Sequence, residues 1–138
     1  MIQELERLAE KVAREIEETG AVEIQGRRYN PYPSIKNGKG GKYDGFCHLG
    51  TGKLLLLARD LPVELRALAF HVLGESAMED INHVIALTTT ANSEKIVVDV
   101  TLRQYFPEAN LVCNLEQYPI KNRSRYRDFT QNILVGVK

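Results

Sequence analysis

A thiol at Cys47, an imidazole at His83 and a carboxylate at Asp99 follow one another along this chain. Held in line, three such groups suffice for acyl transfer through a thioester. The sulfur attacks a carbonyl carbon, the imidazole activates the sulfur and returns a proton to the leaving group, and the carboxylate fixes the imidazole tautomer. A cysteine gains most as a nucleophile in the first turn of a helix, where unpaired backbone N–H groups and the positive end of the helix dipole favour thiolate over thiol. The backbone N–H of Cys47 would then serve as one oxyanion donor.

The elements that must position these groups follow from the local pattern. Residues 30–45 are rich in glycine and proline and nearly devoid of aliphatic side chains, which makes them a loop of the length that usually carries function. Residues 46–58 turn apolar at once and are closed by Arg59-Asp60-Leu61-Pro62, so they predict a helix of about three turns with Cys47 at its start. Residues 65–73, 83–89 and 95–100 have strand character, and the turn-forming segments between them predict an antiparallel sheet. His83 then begins one strand and Asp99 ends the next, where a hairpin can set them opposite each other. Upstream, Leu5, Leu8, Val12 and Ile16 recur at helical spacing over residues 2–19, with Gly20 as the stop. Residues 21–29 fit a short strand or a hairpin at an edge, residues 101–106 a helical turn, and residues 133–137 a last strand, while residues 111–118 fit either kind of element.

The bounds agree with one α+β domain spanning residues 1–138. The chain has 43% hydrophobic residues, and 18 Lys and Arg balance 18 Asp and Glu. No global field therefore draws it to nucleic acid or to an anionic membrane surface. The longest aliphatic run, residues 54–58, is too short to cross a bilayer, and the charged N-terminus is unlike a signal peptide. The two cysteines are far apart and form no Cys-x-x-Cys pair, which argues against a zinc ribbon or a disulfide framework.

Other residues have simpler readings. Cys113, within Leu111-Val112-Cys113, reads as core. His48 turns away from the thiol on a helix, toward surface or loop, and His71 is a strand residue without an arguable role. Gly50-Thr51-Gly52-Lys53 mimics the end of a phosphate-binding loop but has Cys47 where glycine is needed and Leu54 where Ser or Thr is needed. Lys121, Arg123, Arg125 and Arg127, interleaved with Tyr126, read as a solvated face in preference to a phosphate-binding strand.

The stretches GFCHLGTGKLLLLARDLPVELRALAFHV, NHVIAL and EKIVVDVTLRQYF resemble the core of the transglutaminase-like branch of the papain-like thiol enzymes. In that branch a Cys starts a helix, a His starts a strand, and an Asp lies in the next strand two residues before a Thr. The resemblance covers residues 45–106 and is most specific from Asp99 to Phe106. It departs at Val84, where the family often has an aromatic residue, and at Gly41, where papain relatives carry an oxyanion Gln. Tyr43 is a candidate for the missing second donor.

The resemblance implies a papain-like or transglutaminase-like core in which the nucleophile helix packs on an antiparallel sheet, with Cys47, His83 and Asp99 catalytic. It implies a hydrolase, deamidase or transglutaminase acting on a peptide bond or a glutamine side chain, with a protein or peptide substrate and no metal or organic cofactor. Small bacterial toxin and effector domains of this type further imply an immunity or inhibitor protein as partner, and a cytoplasmic location or secretion within a larger system. The alternative is a non-catalytic module on the same fold, using the loop and the basic tail to meet a protein or nucleic acid.

Overall fold

The structure, a computed structural model, describes residues 2–30, 46–72 and 81–136. The glycine-rich stretch 31–45, with Gly41 and Tyr43, and most of the turn before His83 lie outside them.

Helix α1 (Ile2–Thr19) buries Leu5, Leu8, Ala9, Val12, Ala13 and Ile16 along one stripe and leaves its charged residues outside. Each large aliphatic side chain so buried contributes about 1.5–3 kcal/mol relative to exposure. Gly20 ends the helix at φ +66°, a left-handed conformation suited to glycine. Strands β1 (Val22–Ile24) and β2 (Arg27–Tyr29) form a separate two-stranded sheet, so the expected hairpin is present but does not edge the main sheet.

Helix α2 (Cys47–Leu57) is buried or half-buried at every position, as a helix apolar all round must be. Gly50 and Gly52 are poor helix formers, each costing up to about 1 kcal/mol relative to Ala, so tertiary packing must hold this helix together. Gly50 shows why the cost is accepted: a Cβ there would lie 2.7 Å from Val100 Cγ2 and 3.5 Å from Ile16 Cδ1. Thr51 adds a buried hydrogen bond, donating from Oγ1 to the carbonyl of Val84 at 3.2 Å.

The main sheet has the order β6-β5-β4-β3-β7 and is antiparallel throughout. Its strands are β3 (Arg66–Val72), β4 (Ile81–Thr89), β5 (Lys95–Val98), β6 (Val112–Asn114) and β7 (Arg127–Asp128). Pairing of Ala67 with Ala86 and of Ala69 with Val84 puts small residues on one face, whereas Phe70 with His83 and Leu68 with Ile85 share the other. Helix α2 packs against β3 and β4, and α1 packs against α2, β5 and β6. Short 3₁₀ turns lie at Leu102–Gln104, within the expected helical turn, and at Leu115–Gln117, after β6.

The expected final strand is instead helix α3 (Thr130–Gly136). Asp128 accepts a hydrogen bond from the backbone N–H of Thr130 at 2.9 Å, supplying one of the bonds a helix start needs. A short apolar run does not by itself distinguish strand from helix. Among the described residues no helix is long and apolar enough to cross a membrane.

Candidate active site

Two of the three candidate groups are in direct contact. His83 and Asp99 are both 0% exposed, and the imidazole Nε2 lies 2.7 Å from Asp99 Oδ2. His83 is the third residue of β4 and not its first, because pairing with β3 extends back to Ile81 opposite Val72. Asp99 follows the last residue of β5, where its backbone N–H donates to the carbonyl of Leu111 at 2.8 Å. In the β4–β5 register Ala86 faces Val98. One step further sets Asp99 against Ile85, so His83 stands diagonally across from Asp99 on the same face and not directly opposite. That diagonal leaves room for the ring to reach the carboxylate edge-on.

Cys47 opens α2 as its first residue, and no side-chain hydrogen bond from Phe46 caps the helix. The sulfur-bearing residue is buried, with 4% of its surface exposed. His83 Nδ1 is buried and makes no hydrogen bond of conventional geometry, yet Cys47 acts on the ring both as a hydrogen-bonding and as a charged neighbour. The thiol and the imidazole are therefore within interaction range. With Nε2 given to Asp99, Nδ1 is the ring nitrogen left for the sulfur.

Electrostatics favour a protonated ring. Burial is the largest single influence on His83 and works against the charge, but the charge and hydrogen bond of Asp99, followed by those of Cys47, outweigh it. The imidazole is raised from 6.5 to about 10. A proton is thus available beside the sulfur at neutral pH. The ring is held edge-on by Phe70, at 5.5 Å between centroids, and by Tyr105, at 5.6 Å.

Asp99 is anchored through both oxygens. Thr101 donates its backbone N–H to Oδ1 at 3.1 Å, which gives the Asp-x-Thr pattern a local physical role, and Tyr118 donates its hydroxyl to Oδ2 at 2.5 Å. Phe70 stands opposite His83 in the β3–β4 register, a pairing that no local sequence signal fixes. Sequence reasoning also missed Tyr118. It lies nineteen residues beyond Asp99, past a short strand and a 3₁₀ turn, and no local motif marks it.

The remaining residues fall elsewhere. Cys113 is half-buried in β6, and burial followed by the charge of Asp99 raises its thiol pKa. His48 is half-buried with its ring edge-on to Phe129 at 5.2 Å, and burial lowers its pKa. The Gly50-Thr51-Gly52-Lys53 string runs inside α2, and Lys53 pairs with Glu15 at 2.6 Å, so it forms no phosphate-cradling loop. The basic segment is only partly a solvated face: Arg123 is half-buried, donates from Nε to Tyr126 at 2.9 Å and lies over the Tyr126 ring at 5.2 Å. Among the described residues no group of three or more His, Cys, Asp or Glu side chains could hold a metal ion.

The architecture is α+β, with a five-stranded antiparallel sheet beneath its helices. Comparison with protein-family models, with curated proteins and with solved structures finds no match to this chain.

Proposed function

We propose that this chain is a thiol acyl-transfer enzyme on a papain-like or transglutaminase-like core, acting on an amide of a protein or peptide. The observation that carries the reading is the fully buried His83–Asp99 pair, 2.7 Å apart, with Cys47 at the start of α2 acting on the same imidazole. Burying an ion pair is costly, and replacing one with apolar residues is often neutral or stabilising, so stability alone is a weak reason for this pair. A reactive sulfur beside it supplies a chemical reason.

In the proposed reaction Cys47 Sγ attacks the amide carbon and forms a carbon–sulfur bond. The carbon–nitrogen bond breaks, and His83 gives its proton to the departing amine or ammonia. Water then attacks the thioester, releasing a carboxylic acid and returning the proton to the Cys47–His83 pair. Attack by an amine instead makes a new amide. Asp99 holds the ring in register throughout, and the start of α2 supplies backbone N–H groups to the oxyanion.

The test is incubation with glutamine-containing and peptide substrates, following ammonia release, peptide cleavage and amine incorporation, with Cys47→Ala as control. A simpler measurement uses iodoacetamide at mildly acidic pH, where Cys47 is expected to label far faster than Cys113. Equal, slow labelling of the two would overturn the enzyme reading and leave His83–Asp99 a structural ion pair.

A further inference from the structure

Tyr118 is fully buried, and its hydroxyl donates to Asp99 Oδ2, the same oxygen that holds His83 Nε2. On the other side of the carboxylate Oδ1 accepts from the backbone of Thr101 at 3.1 Å, with the Thr101 hydroxyl at 3.5 Å. Pinned at both oxygens, the carboxylate has no freedom to rotate about its own bond. The Tyr118 ring is itself fixed, edge-on to Phe70 at 6.5 Å and beneath the Arg123 guanidinium at 5.8 Å. Phe70 also stands edge-on to His83, so one aromatic residue packs against both partners of Asp99 Oδ2.

We propose that Tyr118 is a positioning residue of the triad, fixing Asp99 and setting how strongly its Oδ2 draws the imidazole proton. The proposal rests on the thiol-enzyme reading above for its catalytic meaning, though its physical content concerns only Tyr118, Asp99 and His83. An acceptor shared between two donors binds each less strongly than it would bind one alone. Tyr118 therefore moderates the grip of Asp99 on His83 and keeps the imidazolium acidic enough to give its proton to the leaving group. Burial, followed by the charge of Asp99, holds the phenol well above its ordinary pKa, so it remains a donor wherever the protein works. Among the described residues, the other titratable or charged groups around this cluster are Cys47 and Tyr105 beside His83, and Arg123, Cys113 and Tyr126 beside Tyr118.

Tyr118→Phe in the full chain removes one hydroxyl and little else. The rate of Cys47 alkylation by iodoacetamide at mildly acidic pH should rise, by up to about tenfold, the scale of one hydrogen bond to a charged group, because a more firmly held imidazolium supports more of the thiolate. The NMR resonance of the proton on His83 Nε2 should move downfield, because Oδ2 with one donor fewer accepts more strongly. In an Asp99→Asn background the same substitution should change neither reading further, which marks action through Asp99. Tyr126→Phe, which loses the bond to Arg123 in the same aromatic cluster, should leave the resonance in place.

An unchanged resonance in Tyr118→Phe would overturn the proposal. So would a fall in alkylation rate, or an equal change with and without the Asp99 carboxylate, which would make Tyr118 a packing residue. If Tyr118→Phe does not fold, 3-fluorotyrosine at position 118 keeps the shape and donates more strongly; the resonance should then move upfield, and no movement would refute the assignment. Slow labelling of Cys47 in the unaltered protein would instead count against the thiol-enzyme reading, while the resonance still decides the role of Tyr118.

Discussion

Two Asp-x-Thr turns in this protein are nearly alike in local geometry and differ in almost everything else. In Asp99-Val100-Thr101 and in Asp128-Phe129-Thr130, the aspartate Oδ1 accepts the backbone N–H of the threonine two residues on, at 3.1 and 2.9 Å. Each carboxylate also holds a basic side chain at 2.7 Å through Oδ2, His83 in one case and Arg66 Nε in the other. The His83–Asp99 pair is 0% exposed at both partners, whereas Arg66 and Asp128 are each 46% exposed. Solvent screens the second pair, which serves mainly to start α3 and to join β3 to β7. The first pair is shut away from water, and so the charge of each partner is met by the other and not by solvent. Identical turn chemistry thus makes a cap in one place and a candidate catalytic dyad in the other, and burial is the difference.

The largest expected effect is on the buried carboxylate. Asp99→Ala strands the His83 charge and the Tyr118 hydroxyl, and should destabilise the fold by about 3–5 kcal/mol in urea unfolding. Asp128→Ala should cost only about 1 kcal/mol, the value of a helix-start hydrogen bond. Similar losses at the two sites would break the contrast.

The two turns should also weaken at opposite ends of the pH scale. Folding raises the imidazole of His83 from 6.5 to about 10, against burial and by virtue of Asp99 and Cys47, so its stabilisation is full below pH 6.5 and is lost as pH rises through about 10. Folding lowers Asp128 from 3.8 to about 2, through the Thr130 backbone and hydroxyl and then Arg66. That contribution is full above pH 3.8 and is lost as pH falls through about 2. Unfolding free energies measured against pH should show the alkaline component disappear in His83→Gln and the acid component disappear in Asp128→Asn, each without the other.

Seating of α2 sharpens the comparison further, since of the two turns only the buried one has the Cys47 thiol brought to its basic partner. Gly50→Ala drives a methyl against Val100, the middle residue of the Asp99 turn, at 2.7 Å from its Cγ2. It should cost about 1–3 kcal/mol and slow Cys47 alkylation by shifting the helix start. If stability falls with alkylation unaffected, α2 does not set the position of the sulfur.

The smallest effect is expected at Thr51, one turn along from Cys47. Thr51→Val removes the 3.2 Å bond to the Val84 carbonyl, beside His83, and should cost about 1 kcal/mol with a modest fall in alkylation rate. Alkylation of the exposed-pair variant Arg66→Ala should be unchanged, and a fall there would mean that the two turns communicate.

Much of this arrangement is legible in the residues themselves. The spacing of Leu5, Leu8, Val12 and Ile16 specifies α1, because a 3.6-residue period leaves one stripe to bury. The apolar stretch after the glycine-rich segment marks α2 and puts Cys47 at its first turn, and the three strand-like runs match β3, β4 and β5 to within two residues at their ends. Residue type and order single out Cys47, His83 and Asp99. The α3 segment was misread because its apolar run is too short to display a period, and what decides it is the turn at Asp128, whose carboxylate is held by Arg66 sixty-two residues away.

The amino-acid sequence by itself determined which side chains can do chemistry and which local elements carry them, since both depend on neighbours along the chain. Only the tertiary structure decided the diagonal register that sets His83 beside Asp99, the exclusion of water from that pair but not from Arg66–Asp128, and the arrival of Tyr118 at Asp99. Burial and long-range hydrogen bonding arise from how separate elements pack, which no local pattern of residues records.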